Sequence, residues 1–115
     1  MLITIFWLFV AHCFGDFVFQ TTWMATYKGK NLFVGCVHAT VWSACILFAL
    51  SIASIETYGW MVPYLVLGHL SIDRITAKLK GDWSFYFDQL LHFGQIAFLL
   101  ALLYYDWLFE IFTRN

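Results

Sequence analysis

The chain has 115 residues, 63% of them hydrophobic and only 11% charged, with a formal net charge of −1. Soluble domains are about 25% charged, and one of this size would leave much of its Trp, Phe and Leu as apolar surface patches that soluble monomers rarely carry. The composition predicts a membrane protein, and the near-neutral balance excludes the basic field that draws nucleic acid.

The first predicted helix spans residues 2–26. Its opening, MLITIFWLFVAHCFGD, is apolar but lacks a basic leader and a small-residue cleavage site, so it reads as retained rather than as a signal peptide. Further helices are predicted at 31–54, 60–80 and 84–112, each with the roughly 20 mostly apolar residues that a membrane span needs. The breaks between them, YKGKN (27–31), IETYGW (55–60) and KLKGDW (78–83), combine charge with Gly, and Pro63 falls where a first helical turn tolerates it. Trp23 with Tyr27, Trp60 with Tyr64, Trp83 with Tyr86 and Tyr104 with Trp107 lie near the predicted ends, as interfacial aromatics do. The expected fold is therefore a single all-α domain, residues 1–115, forming an integral membrane bundle of four transmembrane helices.

Orientation follows from Lys and Arg. Lys28, Lys30, Lys78 and Lys80, with Arg74 nearby, share one side, whereas Arg114 stands beside Glu56 and Glu110 on the other. The basic side is expected to face the cytoplasm and both termini to face away from it. Cys13, Cys36 and Cys45 stand singly in apolar runs, without metal or redox spacing, and read as small buried hydrophobes.

Three His–Asp pairs share one spacing: His12 with Asp16, His69 with Asp73, and Asp88 with His92 in reverse order. Random placement of these residue types gives about 0.3 such pairs at the separation that puts two side chains on one helix face. The reversal is informative. Predicted helices one and three run toward the basic side and read His then Asp, while helix four runs away from it and reads Asp then His. Antiparallel packing then places the histidines in one layer and the aspartates in another, about 6 Å nearer the basic side. His38 enters the histidine layer from helix two.

Ionisable groups at membrane depth are costly and face a bundle interior or a water-filled cavity. Mutual hydrogen bonding within the pairs would explain each pair alone. Ser, Asn or Gln would join helices at lower desolvation cost, however, so convergence of all these groups points to a metal. The expected ligands are His12, Asp16, His38, His69, Asp73, Asp88 and His92. Imidazole and carboxylate donors suit zinc, with manganese and iron as alternatives. The ligand number exceeds one tetrahedral ion, so two or more ions bridged by an Asp are expected.

Gly15, Gly68 and Gly94 lie beside this set, where a missing side chain lets helices approach closely. Gln20 continues the stripe from His12 through Asp16, and Gln89 and Gln95 flank His92, as supporting or interhelix hydrogen-bonding groups. Gln20, Arg74, Lys78 and Lys80 are the candidates for substrate contact, the last three at the depth of a phosphate head group. The alternative for the basic residues is plain topology determination. Asp106, Glu110 and Arg114 read as a solvated helix end.

AHCFGDFVFQTTWMATYK (11–28), His38, GHLSID (68–73) and FDQLLH (87–92) together resemble domain-of-unknown-function family 3307, small bacterial and phage integral membrane proteins. That resemblance implies residence in a bacterial inner membrane, or in the host membrane if phage-encoded. More distantly, the repeated pairs are similar to those of membrane-bound metal-dependent hydrolases and of the zinc-dependent phospholipase C and P1 nuclease enzymes. This similarity implies a multi-zinc phosphoesterase with His12, Asp16, His69, Asp73 and His92 among its ligands.

The leading expectation is a metal-dependent hydrolase acting on a membrane lipid or lipid-linked phosphoester, with Asp16, Asp73 or Asp88 as general base. One alternative is a transporter or channel for metal ions or protons, using the His and Asp layers as stations; a homo-oligomer would supply the bulk that four short helices lack. Others are a non-catalytic structural metal site and, less suited to the carboxylates, haem ligation.

Overall fold

A computed structural model describes residues 1–114, and every element among them is helical. Helix α1 (Leu2–Cys13) runs into a π-helical turn (Phe14–Val18), and a short α2 (Thr22–Tyr27) precedes three longer helices. These are α3 (Leu32–Ile52), α4 (Met61–Thr76) and α5 (Trp83–Thr113).

The expected first span, 2–26, is thus divided. The Phe19 N–H bonds the Phe14 carbonyl at 2.8 Å, the one-residue-longer closure of a π turn. Thr21 then takes an extended conformation and its side chain accepts from the Met24 N–H at 3.1 Å, capping α2. A β-branched hydroxyl residue favours this cap over continued helix. Asn31 caps α3 in the same way, accepting from Val34 N–H at 3.1 Å.

The expectation of four spans is corrected in the same terms. Two helices, α3 with 21 residues and α5 with 31, are long and apolar enough to cross a membrane. The apolar helix Leu2–Val18 is shorter. Helix α4 has 16 residues, about 24 Å of rise against a hydrocarbon thickness of about 30 Å, because the chain turns at Ala77 rather than continuing to residue 80.

Helix α3 packs against both α1 and α4, and α4 packs against α5. Phe9 stacked on Phe93, with ring centroids 5.9 Å apart, joins α1 to α5 and closes the bundle. Two of the three expected close approaches are present. A Cβ on Gly15 would lie 2.8 Å from the Trp42 Cα, and one on Gly68 would lie 2.2 Å from the Gln95 amide nitrogen. The third is not: a Cβ on Gly94 would meet nothing within 4 Å, since that face of α5 points outward.

Leu8, Trp42, Ile46, Leu50, Met61, Leu65, Ile96 and Leu99 form the apolar core. In every helix these residues lie toward the end of the bundle that holds the termini. The polar cluster therefore sits between this core and the Lys-bearing connections, with Trp42 at the junction. The three cysteines are free thiols, each half-buried.

Candidate metal centre

Each long helix and the π turn deliver polar side chains to one place. His12, His38, His69 and His92 are all fully buried. Their rings form a row, with centroids 4.9 Å apart from His38 to His69, 4.3 Å from His69 to His92 and 5.7 Å from His92 to His12. The histidine layer expected from the alternating motif direction is present.

The carboxylates meet this row on one side. Asp16 Oδ1 lies 3.1 Å from His38 Nε2 and 3.8 Å from His69 Nε2. Asp73 Oδ2 lies 3.3 Å from His69 Nε2 and 3.5 Å from His38 Nε2, and its Oδ1 is 3.5 Å from His92 Nε2. Asp88 approaches His92 Nδ1 at 3.4 Å and accepts from the Thr76 hydroxyl. Asp16 and Asp73 are almost wholly buried, while the Asp88 side chain keeps 16% of its surface exposed.

Two ligand groups result. Asp16, His38, His69 and Asp73 each offer an atom within 4.8 Å of the others, as do Asp16, Asp88 and His92. Asp16 belongs to both. The described residues could therefore hold a metal ion in a buried centre.

The Asp16 carboxylate is hydrogen-bonded by His38 and Gln89, but several other polar atoms of the centre have no hydrogen-bond partner among the described residues. Both Asp73 oxygens, both His69 nitrogens and His92 Nε2 are buried without a hydrogen-bond partner among the described residues. Native interiors rarely leave such groups unsatisfied. His92 Nδ1 donates to the Asp88 backbone carbonyl at 2.8 Å, so its proton sits there and Nε2 faces the centre as a bare donor. Metal-ligating histidines are oriented in this way.

His12 differs from the other three. The Trp42 indole N–H donates to its Nδ1 at 3.0 Å, which puts the ring proton on Nε2, where it donates to Gln89 Oε1 at 2.8 Å. His12 Nε2 is also 3.8 Å from Asp16 Oδ2, but both nitrogens are engaged and the residue lies outside both ligand groups. The Gln89 amide then donates to Asp16 Oδ2 at 3.1 Å and Asp88 Oδ2 at 3.2 Å. A relay from Trp42 through His12 and Gln89 thus orients two carboxylates. Trp42 also stacks on His69 at 4.3 Å and 25°.

Of the candidate substrate contacts, Gln20 and Arg74 are half-buried and Lys78 and Lys80 are exposed. None of the four shares a hydrogen bond or ion pair with the cluster among the described residues. Gln95 serves helix pairing: its amide donates to the Tyr64 and Leu65 carbonyls at 3.1 and 3.2 Å, and the Tyr64 hydroxyl donates back to the Gln95 carbonyl at 2.8 Å.

Three participants lie beyond the His–Asp spacing. Trp42 falls four residues after His38 and Thr76 three after Asp73, spacings that share a helix face. Lys28, read from sequence as a topology residue and as the end of the family-like run 11–28 but given no role at the site, places its ammonium 3.5 Å from Asp16 Oδ1 and 3.3 Å from Asp73 Oδ1. No periodicity marks it, because the chain breaks between Asp16 and α2. A separate cavity of about 420 Å³ opens at the opposite end of the bundle, beside Thr4, Tyr58, Asp106 and Glu110, and takes in none of these residues.

An all-helical protein with a buried His/Asp centre able to hold metal is the class that this fold and site define. The chain belongs to the family described as Protein of unknown function (DUF3307), whose model matches residues 4–113. No curated protein and no solved structure matches it.

Proposed function

We propose that the protein is a membrane-embedded, metal-dependent hydrolase acting on lipid or lipid-linked phosphoesters. The observation that carries this reading is the pair of ligand groups sharing Asp16, lined by buried donor atoms with unspent lone pairs. The donor set, imidazole with carboxylate, fits zinc, with manganese and iron accepting the same atoms. Two ions are proposed, with Asp16 between them.

Catalysis rather than a purely structural metal is supported by the difference between the groups. His38, His69, Asp16 and Asp73 supply a full tetrahedral set. Asp16, Asp88 and His92 supply three donors and leave a position for water or substrate, as catalytic zinc sites do. Metal in such a site polarises a phosphoryl oxygen and acidifies water. Asp88, the partly exposed carboxylate of this group, is held by Thr76 and Gln89 beside the open position, and an Asp not taken up as ligand would serve as general base. Three carboxylates against the one Lys28 ammonium leave two negative charges, and two divalent ions would reverse the sign of the site in favour of an anionic substrate.

The membrane setting is supported by α5. In an 18-residue apolar stretch of this helix only 11% is buried within the protein, unlike the core helix of a soluble domain. Phe98, Tyr105, Phe109 and Phe112 are all more than half exposed. The proposed orientation puts the Lys-bearing connections, and so the centre, toward the cytoplasmic leaflet, with both termini on the other face.

Purification in mild detergent, elemental analysis and assay of phosphate release from phospholipids test the reading. Zinc above one equivalent, with metal-dependent turnover lowered at least 100-fold by Asp88→Asn, is the expected result. Protein that neither retains nor rebinds transition metal would overturn it.

A further inference from the structure

We propose that Lys28 is the built-in cation of the metal-free centre, that metal displaces it from between Asp16 and Asp73, and that the freed ammonium then receives the anionic end of the substrate. This rests on the metal-centre reading above and adds an exchange of cations to it.

The geometry makes the two cations mutually exclusive. The ammonium lies 3.5 Å from Asp16 Oδ1 and 3.3 Å from Asp73 Oδ1. The same Asp16 oxygen faces His38 Nε2 at 3.1 Å, and the same Asp73 oxygen faces His92 Nε2 at 3.5 Å. A divalent ion bound among those donors at the usual distance of about 2 Å stands against the ammonium across shared oxygens, where two positive charges in a poorly solvated interior repel strongly. Metal satisfies the His69 and Asp73 lone pairs that Lys28 leaves unbonded, so the ion takes the site and the lysine yields.

The residue is also built to move without unfolding anything. Its backbone is held, since its N–H donates to the Met24 carbonyl at 2.9 Å and its carbonyl packs closely on Gly35. Its side chain, by contrast, is a flexible four-carbon stem. The Lys28 side chain is 18% exposed against 2% for Asp16, so it already reaches the surface of the protein while the carboxylate does not. Displaced by a side-chain rotation, the ammonium remains tethered at the rim of the centre, where a phosphate oxygen would enter.

Amine acylation read by mass spectrometry, on metal-stripped full-length protein in detergent, tests the exchange. Lys28 is expected to be protected without metal and to become at least fivefold more reactive on adding zinc, with Lys78 and Lys80 unchanged. Inorganic phosphate should restore protection only in the zinc-loaded protein. Lys28→Met, which keeps the stem and removes the charge, should bind zinc at least tenfold more tightly. If the variant does not fold without metal, the wild-type labelling decides. Zinc binding with unchanged Lys28 reactivity, or with no gain in Lys28→Met, overturns the exchange and leaves the metal centre standing. Failure of phosphate to protect overturns the anion-receiving role, and a wild-type protein that binds no zinc overturns both readings.

Discussion

A histidine ligates metal through a ring nitrogen that no other group has taken, and the four histidines differ in this: His38 shares Nε2 with Asp16 at 3.1 Å and keeps Nδ1 without a hydrogen-bond partner among the described residues. His92 gives its Nδ1 proton to a backbone carbonyl and keeps Nε2 free, and His69 has neither nitrogen bonded. His12 has both engaged, one by Trp42 and one by Gln89. Replacing His69 by Ala should therefore lower the metal content of the purified protein by about one equivalent. His12→Ala should leave the content near normal at saturating zinc while weakening affinity about 10- to 100-fold, the usual effect of losing a group that orients a ligand. Elemental analysis and a zinc titration separate the two. Equal loss of content in both variants would return His12 to the ligand set.

At the scale of elements, helix direction and motif direction are locked together. Helix α4 presents His69 then Asp73, and the antiparallel α5 presents Asp88 then His92, so like residues meet. Combining Asp88→His with His92→Asp keeps composition and hydropathy but displaces both groups by about 6 Å along α5. It should abolish metal binding as completely as replacing both by Ala, and near-normal metal in the exchanged protein would show that the layers are incidental. The π turn has a different role. It carries Asp16 between the two ligand groups while Gly15 lets it sit on α3. Gly15→Ala would place a methyl 2.8 Å from the Trp42 backbone, which cannot yield as a side-chain tip can. The expected outcome is a loss of about 1–3 kcal/mol of stability from overpacking, read as a lower thermal midpoint, together with weaker zinc binding as Trp42 shifts off His69.

The whole molecule is 52 Å long and about 24 Å across, and its polar centre is displaced toward one end. His38 lies six residues into α3 from the Lys-bearing side, about 9 Å of rise, so the centre sits nearer that end of α3 than its middle. In the proposed membrane setting, that placement would suit a substrate entering laterally with its head group at the interface. In a chain cleared of its native cysteines, a cysteine at Lys80 should react with a membrane-impermeant thiol reagent only from the cytoplasmic face, and one at Thr57 only from the opposite face. The reverse pattern would invert the orientation, and labelling of both sites from both faces would mean dual insertion.

The i,i+4 spacing of His69 with Asp73 and of Asp88 with His92, and the order reversal between them, were readable from the chain because helical periodicity maps sequence separation onto a face. So were the breaks at Lys28–Asn31, Ala53–Trp60 and Ala77–Asp82, where charge and Gly interrupt apolar runs. Tertiary structure decided the rest. Apolar composition from residue 2 to 26 could not reveal a π turn and a Thr21 cap, since a helix interrupted by one extra residue has nearly the same hydropathy as a continuous one. It could not place Lys28, because a side chain beyond a backbone break has no register with the residues before it. Nor could it separate His12 from His69, because a histidine's chemistry depends on which neighbours take its two nitrogens, and Trp42 and Gln89 reach His12 only when three helices pack together.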